Sequence, residues 1–307
     1  MTNLDRLPEF LDTLDAEVRA RDDWGAVASY IPELARVNPA QFAISVALAD
    51  GRLISAGQAR TRFSIQSISK VFSLACVLSR FGESLWHRVG REPSGDRFDS
   101  ILLLEQEQGR PRNPFINAGA LVTTDELLAG RAPKEALSEI IGFVRACAED
   151  DDIHIDAGVA ASENDTGHRN RALAYYLKSF DNLKNPPELV LGTYFHQCAI
   201  EMTTEQLALA GRGIAGLPGA PMPLSEVRRR RIAALMMTCG HYDGSGDFAF
   251  RTGLPGKSGV GGGILLAVPG RASVAIWSPG LNAWGNSQVG TEAAERLARF
   301  TGWSVFG

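Results

Sequence analysis

The first strong pattern in the chain is an alternation of large apolar residues with smaller ones over residues 42–48. The large positions are Phe42, Ile44, Val46 and Leu48. Asp50-Gly51 follows, and a second apolar run covers residues 52–55. Because two such runs joined by a tight Asp-Gly turn are typical of a β-hairpin, we predict two antiparallel strands here.

A similar pattern returns near the end of the chain. Residues 263–268 and 272–277 are apolar runs separated by Pro269-Gly270, which predicts a second hairpin. Apolar residues at helical spacing predict a final helix over about residues 287–300. The spacing of Val71, Phe72, Ala75 and Val77 predicts another helix that begins near Ser67.

The middle of the chain, about residues 80–225, lacks sustained alternation and is predicted to be helical. One helix should begin at Thr123-Thr124-Asp125-Glu126, and another at Ala132-Pro133, with proline in its first turn. Both ends of the chain would therefore build one antiparallel sheet flanked by helices, with a helical subdomain inserted between them. This is an α/β fold of the α+β type.

Composition adds few constraints. The 307 residues are 45% hydrophobic and 21% charged, which is typical of a globular protein. We predict a single domain, residues 1–307, with an α/β part at about 1–80 and 225–307 and a helical part at about 81–224. The net charge is −4, from 31 Lys and Arg against 35 Asp and Glu, which disfavours nucleic acid or an anionic membrane as partner. The one basic cluster, residues 228–231, is interpreted as a solvated helix face.

The start of the chain lacks the pattern of a signal peptide, and no run of apolar residues approaches the 18 or so that would span a membrane. A soluble, cytoplasmic protein is therefore expected. The four cysteines form no C-x-x-C pair and lie in apolar contexts, so we predict buried thiols. The five histidines form no metal-binding spacing, and we predict no metal site.

The tetrapeptide Ser67-Ile68-Ser69-Lys70 could carry chemistry at the start of its predicted helix. Positions i and i+3 share a helix face, so the Lys70 amine could reach the Ser67 hydroxyl. A serine needs a base to become a nucleophile, and a lysine can be that base if burial lowers its pKa from about 10.4 toward 7–8. The spacing also occurs in helices without any catalytic role, so alone it leaves both interpretations open.

A second candidate is the Lys257-Ser258-Gly259 segment before the late strands. It could be an active-site edge strand, with Lys257 supplying positive potential and glycines letting a substrate approach the backbone. A phosphate loop would need glycine at position 251, where the chain has Arg251, and a helix after Ser258. A glycine-rich turn without a ligand stays an alternative.

Polar and aromatic candidates are less specific. Glu163 and Asn170 would share a face if one helix contained both, and could then bind the ammonium and carboxylate of an amino acid. A solvated helix face is the alternative. Tyr30, Tyr194 and Tyr242 are three of only five tyrosines, and such residues usually fill the edges of a core.

Together these motifs resemble known enzymes. S-x-x-K followed about 190 residues later by K-S-G is similar to the serine β-lactamase and penicillin-binding protein superfamily, which uses S-x-x-K with K-T-G. Four longer segments resemble one branch, the serine-dependent glutaminase family. They are Y-I-P-E-L-A at 30–35, Q-S-I-S-K-V-F at 66–72, P-R-N-P-F-I-N-A-G-A at 111–120 and L-P-G-K-S-G-V-G-G-G at 254–263.

The resemblance implies a β-lactamase-like fold and a set of catalytic roles. Ser67 would be the nucleophile that forms an acyl-enzyme, and Lys70 its base. Tyr194 and Tyr242 would stand at the reacting amide and help to protonate ammonia. The backbone N–H groups of Ser67 and Val260 would form the oxyanion hole.

It also implies a binding site for free L-glutamine. Tyr30 and Asn117 would line that site, and Glu163 and Asn170 would hold the α-amino and α-carboxylate groups. The expected activity is hydrolysis of L-glutamine to L-glutamate and ammonia by a homo-oligomer, either dimer or tetramer, without a cofactor. Two alternatives remain, a hydrolase of lactams or D-alanyl peptides and a non-catalytic amino-acid sensor.

Overall fold

The computed structural model describes residues 4–95 and 97–307, which contain the following strands. They are β1 (Ala43–Leu48), β2 (Leu53–Gly57), β3 (Phe63–Ser64), β4 (His154–Ile155), β5 (Ile200–Met202), β6 (Gly256–Ser258), β7 (Gly263–Val268) and β8 (Ala272–Trp277). Five of them form one antiparallel sheet in the order β2-β1-β8-β7-β6, so both ends of the chain contribute to it. The other three form a small sheet in the order β3-β5-β4.

Helices make up most of the remaining regular structure. They are α1 (Leu7–Arg19), α2 (Pro32–Ala35), α3 (Ser69–Phe81), α4 (Ile101–Gln106), α5 (Asn117–Leu128), α6 (Pro133–Ala148), α7 (Ala157–Thr166), α8 (His168–Ser179), α9 (Pro187–Cys198), α10 (Thr204–Ala215), α11 (Glu226–Cys239), α12 (Ser245–Thr252) and α13 (Gln288–Thr301). Within the described ranges, no helix is long and apolar enough to cross a membrane.

The large sheet is covered on both faces, which explains its apolar alternation. Side chains alternate between the faces of a strand. The large residues of β1 join a core cluster with α1 and α13, and Ala43 and Ala47 join the opposite core. There α10 packs closely, since a Cβ atom on Gly211 would lie 2.3 Å from Ser273 Oγ. Small residues on that face of the sheet therefore leave room for the helix.

Both predicted hairpins are confirmed. In the first, Ala47 pairs with Leu53 across the Asp50-Gly51 turn, and the second has the predicted bounds of β7 and β8. Helix α6 begins at Pro133, and α13 follows an N-cap in which the Ser287 side chain accepts from Gly290 N–H. All four cysteines are buried free thiols, as predicted.

The prediction of a helix start at Thr123 is wrong, because α5 begins at Asn117. The residues that resembled a cap have other partners inside the protein. The Thr123 hydroxyl donates to the Gly119 carbonyl, and Asp125 is buried, where it pairs with Arg88 and accepts from the backbone N–H of Asn185. A polar run at the middle of a buried helix can therefore look like a helix start.

The small sheet was not predicted, since strands of two or three residues are too short to show alternation. It positions the segment that precedes Ser67. Strand β3 pairs with β5 and leads into a short 3-10 helix, Gln66–Ile68, and α3 begins at Ser69. This 3-10 helix contacts β6, β7 and α9, so it lies where the two sheets and the helical part meet.

Candidate active site

A pocket of about 630 Å³ opens beside the 3-10 helix, and most of the predicted site residues lie on its wall. These are Tyr30, Ser67, Asn117, Glu163, Asn170, Tyr194 and Val260. The other two predicted residues, Lys70 and Tyr242, are buried next to this wall and reach it through hydrogen bonds with Asn117 and Ser67 respectively. The fold therefore brings together residues that are far apart in sequence.

Ser67 is positioned by an unusual backbone. The residue before it, Gln66, has φ +50°, a left-handed value that non-glycine residues seldom adopt. Opposite, the chain after β6 runs very close to this segment. A Cβ atom on Gly259 would lie 2.6 Å from the Ile65 carbonyl oxygen and 3.2 Å from Ser67 N, and one on Gly261 would lie 2.4 Å from the Ser64 carbonyl oxygen.

These glycines have a structural reason that the sequence analysis did not give for the Lys257 segment, because they make room for the backbone of residues 64–67. The approach of a substrate to this segment stays a prediction. Between the two glycines lies Val260, which is on the pocket wall. The close approach therefore brings the backbone just before Val260 next to the Ser67 backbone nitrogen.

Lys70 is completely buried behind the pocket. Its Nζ donates to Asn117 Oδ1 at 2.7 Å and to the Phe115 carbonyl oxygen at 3.1 Å. Burial lowers the pKa of Lys70 to about 8, although the negative charge of Glu163 acts in the opposite direction. The amine therefore exchanges its proton near neutral pH, as a general base must.

Asn117 connects the buried lysine to the open pocket. Its Oδ1 accepts from Lys70 and from the Tyr194 hydroxyl at 3.4 Å, and its Nδ2 donates to Asn170 Oδ1 at 2.9 Å. Because Asn170 Oδ1 is used in this way, the amide NH₂ of Asn170 is the group with which that side chain can donate to a ligand. As the first residue of α5, Asn117 also donates its backbone N–H to the Phe98 carbonyl.

Glu163 and Asn170 do not share one helix, so that sequence prediction is wrong in its geometry. Helix α7 ends at Thr166, and α8 begins at His168 after a break at Gly167. A Cβ atom on Gly167 would lie 2.5 Å from Phe195 Cζ and 2.6 Å from the Glu163 carbonyl oxygen. Glycine lets the break pack against α9, and both side chains still face one pocket.

The Glu163 carboxylate is 6% exposed, and its Oε1 accepts a hydrogen bond of 2.8 Å from Gln66 Nε2. Burial raises the pKa of Glu163 to about 7, although the hydrogen bond from Gln66 and the charge of Lys70 both lower it. A carboxylate held in a low-dielectric pocket gains most from a cation that enters beside it.

The three tyrosines differ in burial. Tyr194 and Tyr242 are buried, while Tyr30 is 56% exposed. Burial raises the pKa of Tyr194 well above 10 and that of Tyr242 to about 12, so both hydroxyls keep their protons at neutral pH. Tyr242 has a left-handed φ of +55° and hydrogen-bonds with Ser67.

Lys257 lies on the edge strand β6, as predicted, and is fully buried behind Tyr242. Its Nζ donates to the carbonyls of Gly240 at 3.0 Å and Ser258 at 2.6 Å and lies 4.6 Å from the centre of the Tyr242 ring. Burial and the neighbouring Lys70 hold the pKa of Lys257 well below its ordinary value. It therefore packs against a site residue from behind the pocket wall.

Several residues of the pocket wall were missed by the sequence interpretation, among them Gln66 and Cys198. Gln66 contacts Glu163, and Cys198 lies one helical turn after Tyr194 on α9. The position of Cys198 four residues after Tyr194 is a signal that could have placed it on the same face. Burial raises the pKa of this thiol. Among residues 4–95 and 97–307, no three His, Cys, Asp or Glu side chains group as metal ligands.

Known proteins share this architecture over almost the whole chain. A probable glutaminase ybaS has a TM-score of 0.93 at 34% identity, covering 98% of both chains. A probable glutaminase of Bacillus subtilis has a TM-score of 0.90 at 34% identity, with the same coverage. A structure of Mglu in its glutamate form has a TM-score of 0.91 at 35% identity, covering 98% of this chain and 69% of that one. The antiparallel sheet with its helices is thus the β-lactamase-like fold of these relatives.

Sequence comparison agrees. A glutaminase of Mesorhizobium japonicum is 58% identical, covering 100% of this chain and 99% of the relative. One of Methylorubrum populi is 57% identical over the full length of both. The family model for glutaminase matches residues 25–306. The chain therefore belongs to the glutaminase family of amidohydrolases.

Proposed function

We propose that this protein hydrolyses free L-glutamine to L-glutamate and ammonia through a Ser67–Lys70 pair and an acyl-enzyme. One observation carries the proposal: Ser67 and Glu163 lie on the same 630 Å³ pocket, next to the buried Lys70. The pocket wall thus holds a nucleophile and a carboxylate for an ammonium group, with a base buried directly behind it. The glutamate form recorded for the similar Mglu supports an amino-acid ligand of this class.

The reaction begins at the Ser67 hydroxyl. Lys70, with its amine neutral, takes the proton of the Ser67 hydroxyl. The neutral amine is accessible because burial lowers the pKa of Lys70 to about 8. Ser67 Oγ then attacks the side-chain amide carbon of glutamine. The tetrahedral oxyanion is held by the backbone N–H groups of Ser67 and Val260, each worth about 3 kcal/mol in enzymes of this kind.

Ammonia leaves after its nitrogen has gained a proton. Tyr242 is suited to relay this proton, because its hydroxyl hydrogen-bonds with Ser67 and is neutral at working pH. Tyr194 contacts Asn117, which accepts from Lys70, and offers a second route. Water then cleaves the acyl-enzyme, with Lys70 acting again as base.

The ends of the substrate are held by separate helices. Glu163 on α7 pairs with the α-ammonium group, and the Asn170 amide on α8 donates to the α-carboxylate. Tyr30 and Asn117 line the rest of the glutamine site. This arrangement disfavours penicillins and D-alanyl peptides, because their acylated nitrogen is neutral and would leave the buried Glu163 carboxylate without a cation.

Covalent labelling tests the proposal directly. A γ-glutamyl diazo-ketone should bond to Ser67 Oγ with loss of N₂, so the wild-type protein should gain the reagent mass minus N₂ in intact mass spectrometry. Ser67→Ala should gain nothing, and penicillin at the same concentration should add nothing to either protein. The wild type should also release ammonia from glutamine. Acylation of Ser67 by penicillin without ammonia release would favour the lactam hydrolase, and glutamine binding without either reaction would favour an amino-acid sensor.

We further propose one glutaminase domain over residues 1–307. We also propose a homo-oligomer, dimer or tetramer, whose molar mass light scattering of the purified protein would measure. The cytoplasmic location and the absence of a cofactor stay predictions from the sequence.

A further inference from the structure

Gln66 links the segment that carries the nucleophile to the carboxylate on the opposite side of the pocket. It directly precedes Ser67, its side chain is buried, and its backbone is left-handed. Strained backbone of this kind persists only where the surrounding contacts hold it. The contacts of the Gln66 side chain therefore show what holds this segment in place.

Both N–H donors of the Gln66 amide are used. Nε2 donates to Glu163 Oε1 at 2.8 Å and to Ser64 Oγ at 2.9 Å, and a primary amide nitrogen has two N–H groups. Ser64 belongs to β3 of the small sheet, and its hydroxyl in turn donates to the Cys198 carbonyl at 3.0 Å. The amide of Gln66 is thereby fixed from one side by the sheet and holds Glu163 on the other.

The electrostatic surroundings make this hydrogen bond important for the charge of Glu163. Burial is the largest influence on the pKa of Glu163 and raises it, while the bond from Gln66 is the largest that lowers it. The other titratable or charged groups near Glu163 are Lys70 from α3, Tyr194 and Cys198 from α9, Tyr30 before α2, and Arg97, Asp99, His168 and Arg169 on the pocket wall.

We propose that Gln66 is a positioning residue that orients the Glu163 carboxylate and keeps it charged, and thereby determines the preference for substrates with a free α-ammonium group. This rests on the proposed function, in which Glu163 receives that ammonium. The residue next to the nucleophile would then also set specificity at the far end of the substrate, through a single amide.

The test compares two substrates in Gln66→Met, which has a similar length without donors, and in Gln66→Glu, which places a like charge beside Glu163. The substrates are L-glutamine and glutaramate, which keeps the amide and carboxylate but lacks the α-amino group. Ammonia release gives kcat/KM for each from pH 6 to 9. The ratio between the substrates cancels effects on Ser67 and Lys70, since both substrates need them.

In both variants we expect the preference for glutamine at pH 7.5 to fall about ten-fold or more, in the range typical of a hydrogen bond to a charged group. The acidic limb of kcat/KM for glutamine should move up by about one pH unit, since losing a donor or adding a like charge raises the pKa of a carboxyl. The profile for glutaramate should keep its shape. Glutamine hydrolysis should therefore recover partly at pH 9.

Gln206→Met is the matched control. Gln206 is also a buried glutamine whose Nε2 donates twice, to Asp150 Oδ2 and to the Asp152 carbonyl, away from the pocket wall. Gln206→Met loses both of these hydrogen bonds and also the one that Gln206 Oε1 accepts from the Thr203 backbone N–H. It is therefore at least as disruptive, and we expect its substrate ratio to be unchanged. Circular dichroism and Tm identify which of the two Gln66 variants is folded. One folded Gln66 variant is enough to test whether Gln66 controls the preference for glutamine.

A folded Gln66 variant could instead keep the wild-type preference for glutamine, with kcat/KM reduced equally for both substrates. That result would overturn this proposal and leave the proposed function intact. A wild type that releases ammonia from neither substrate would overturn the proposed function and this inference with it.

Discussion

Replacing Glu163 with glutamine should weaken the reaction and stabilise the protein at the same time. The change keeps the size of the side chain, and its remaining Oε1 can still accept from Gln66 Nε2. It removes the negative charge from a carboxyl that is 6% exposed. The same charge that costs stability because it is buried is the one that receives the substrate ammonium in the proposed mechanism.

The stability gain can be worked out from the pKa of Glu163, which burial raises from 4.5 to about 7. At 1.36 kcal/mol per pH unit, the ionised side chain costs the folded state about 3 kcal/mol. The folded protein binds the proton more tightly than the unfolded chain does. The contribution of Glu163 is therefore fully present below about pH 4.5 and is lost as the pH rises through about 7.

Chemical denaturation at pH 4.5 and pH 8.5 measures this difference. Relative to wild type, Glu163→Gln should gain about 3 kcal/mol more at pH 8.5 than at pH 4.5. Glu105→Gln is the control, because it makes the same chemical change at an exposed position. A pH-independent difference between Glu163→Gln and wild type would refute the argument that burial destabilises this carboxylate.

In the proposed mechanism Glu163 makes a charge-assisted hydrogen bond with the substrate ammonium, worth about 1.5–3 kcal/mol, and its loss should lower activity. We expect kcat/KM for L-glutamine to fall roughly 10- to 100-fold in Glu163→Gln, with a smaller loss for glutaramate. Steady-state ammonia release measures both. Equal losses on the two substrates would mean that Glu163 is only structural.

Three further changes test other parts of the site. Ser67→Ala should abolish activity with the fold intact, and Lys70→Met should be nearly as severe. If the two residues act as a unit, the double variant should be no less active than the more severe single variant. A loss equal to the product of the two single losses would mean that the residues act independently. Tyr242→Phe removes the hydroxyl that hydrogen-bonds with Ser67 and should lower kcat about 10²- to 10⁴-fold with little change in KM, while a change in KM alone would assign it to binding. Gly167→Ala places a Cβ 2.5 Å from the Phe195 ring and should lower the free energy of unfolding by about 1–3 kcal/mol, measured by denaturant unfolding. An unchanged denaturation midpoint would show that the α7–α8 break can shift to accept the Cβ.

The hairpins illustrate what the sequence by itself determines about this protein. The alternation at residues 42–48 and the Asp50-Gly51 turn are local signals, so β1 and β2 follow from neighbouring residues alone. The same holds for the late hairpin and for α6, whose start is marked by Pro133. The Ser67–Lys70 spacing also lies within one turn and could be recognised without knowing what surrounds it.

Tertiary structure decided everything that depends on distant partners. Strand β3 has two residues and exists because β5 pairs with it, and Gln66 takes its left-handed backbone next to that pairing. At the helix break, only glycine at position 167 leaves room for the close approach of Phe195 on α9.

The chemistry of the site depends on burial in the same way. The S-x-x-K motif identifies Lys70 as a candidate base, but its pKa of about 8 results from its burial in the folded protein. Likewise, Gly259 and Gly261 are visible as glycines in the sequence, and only the fold shows that the backbone of residues 64–67 occupies the space beside them. Local periodicity carries information about neighbours along the chain, whereas desolvation and close packing arise between segments that meet only when the chain is folded.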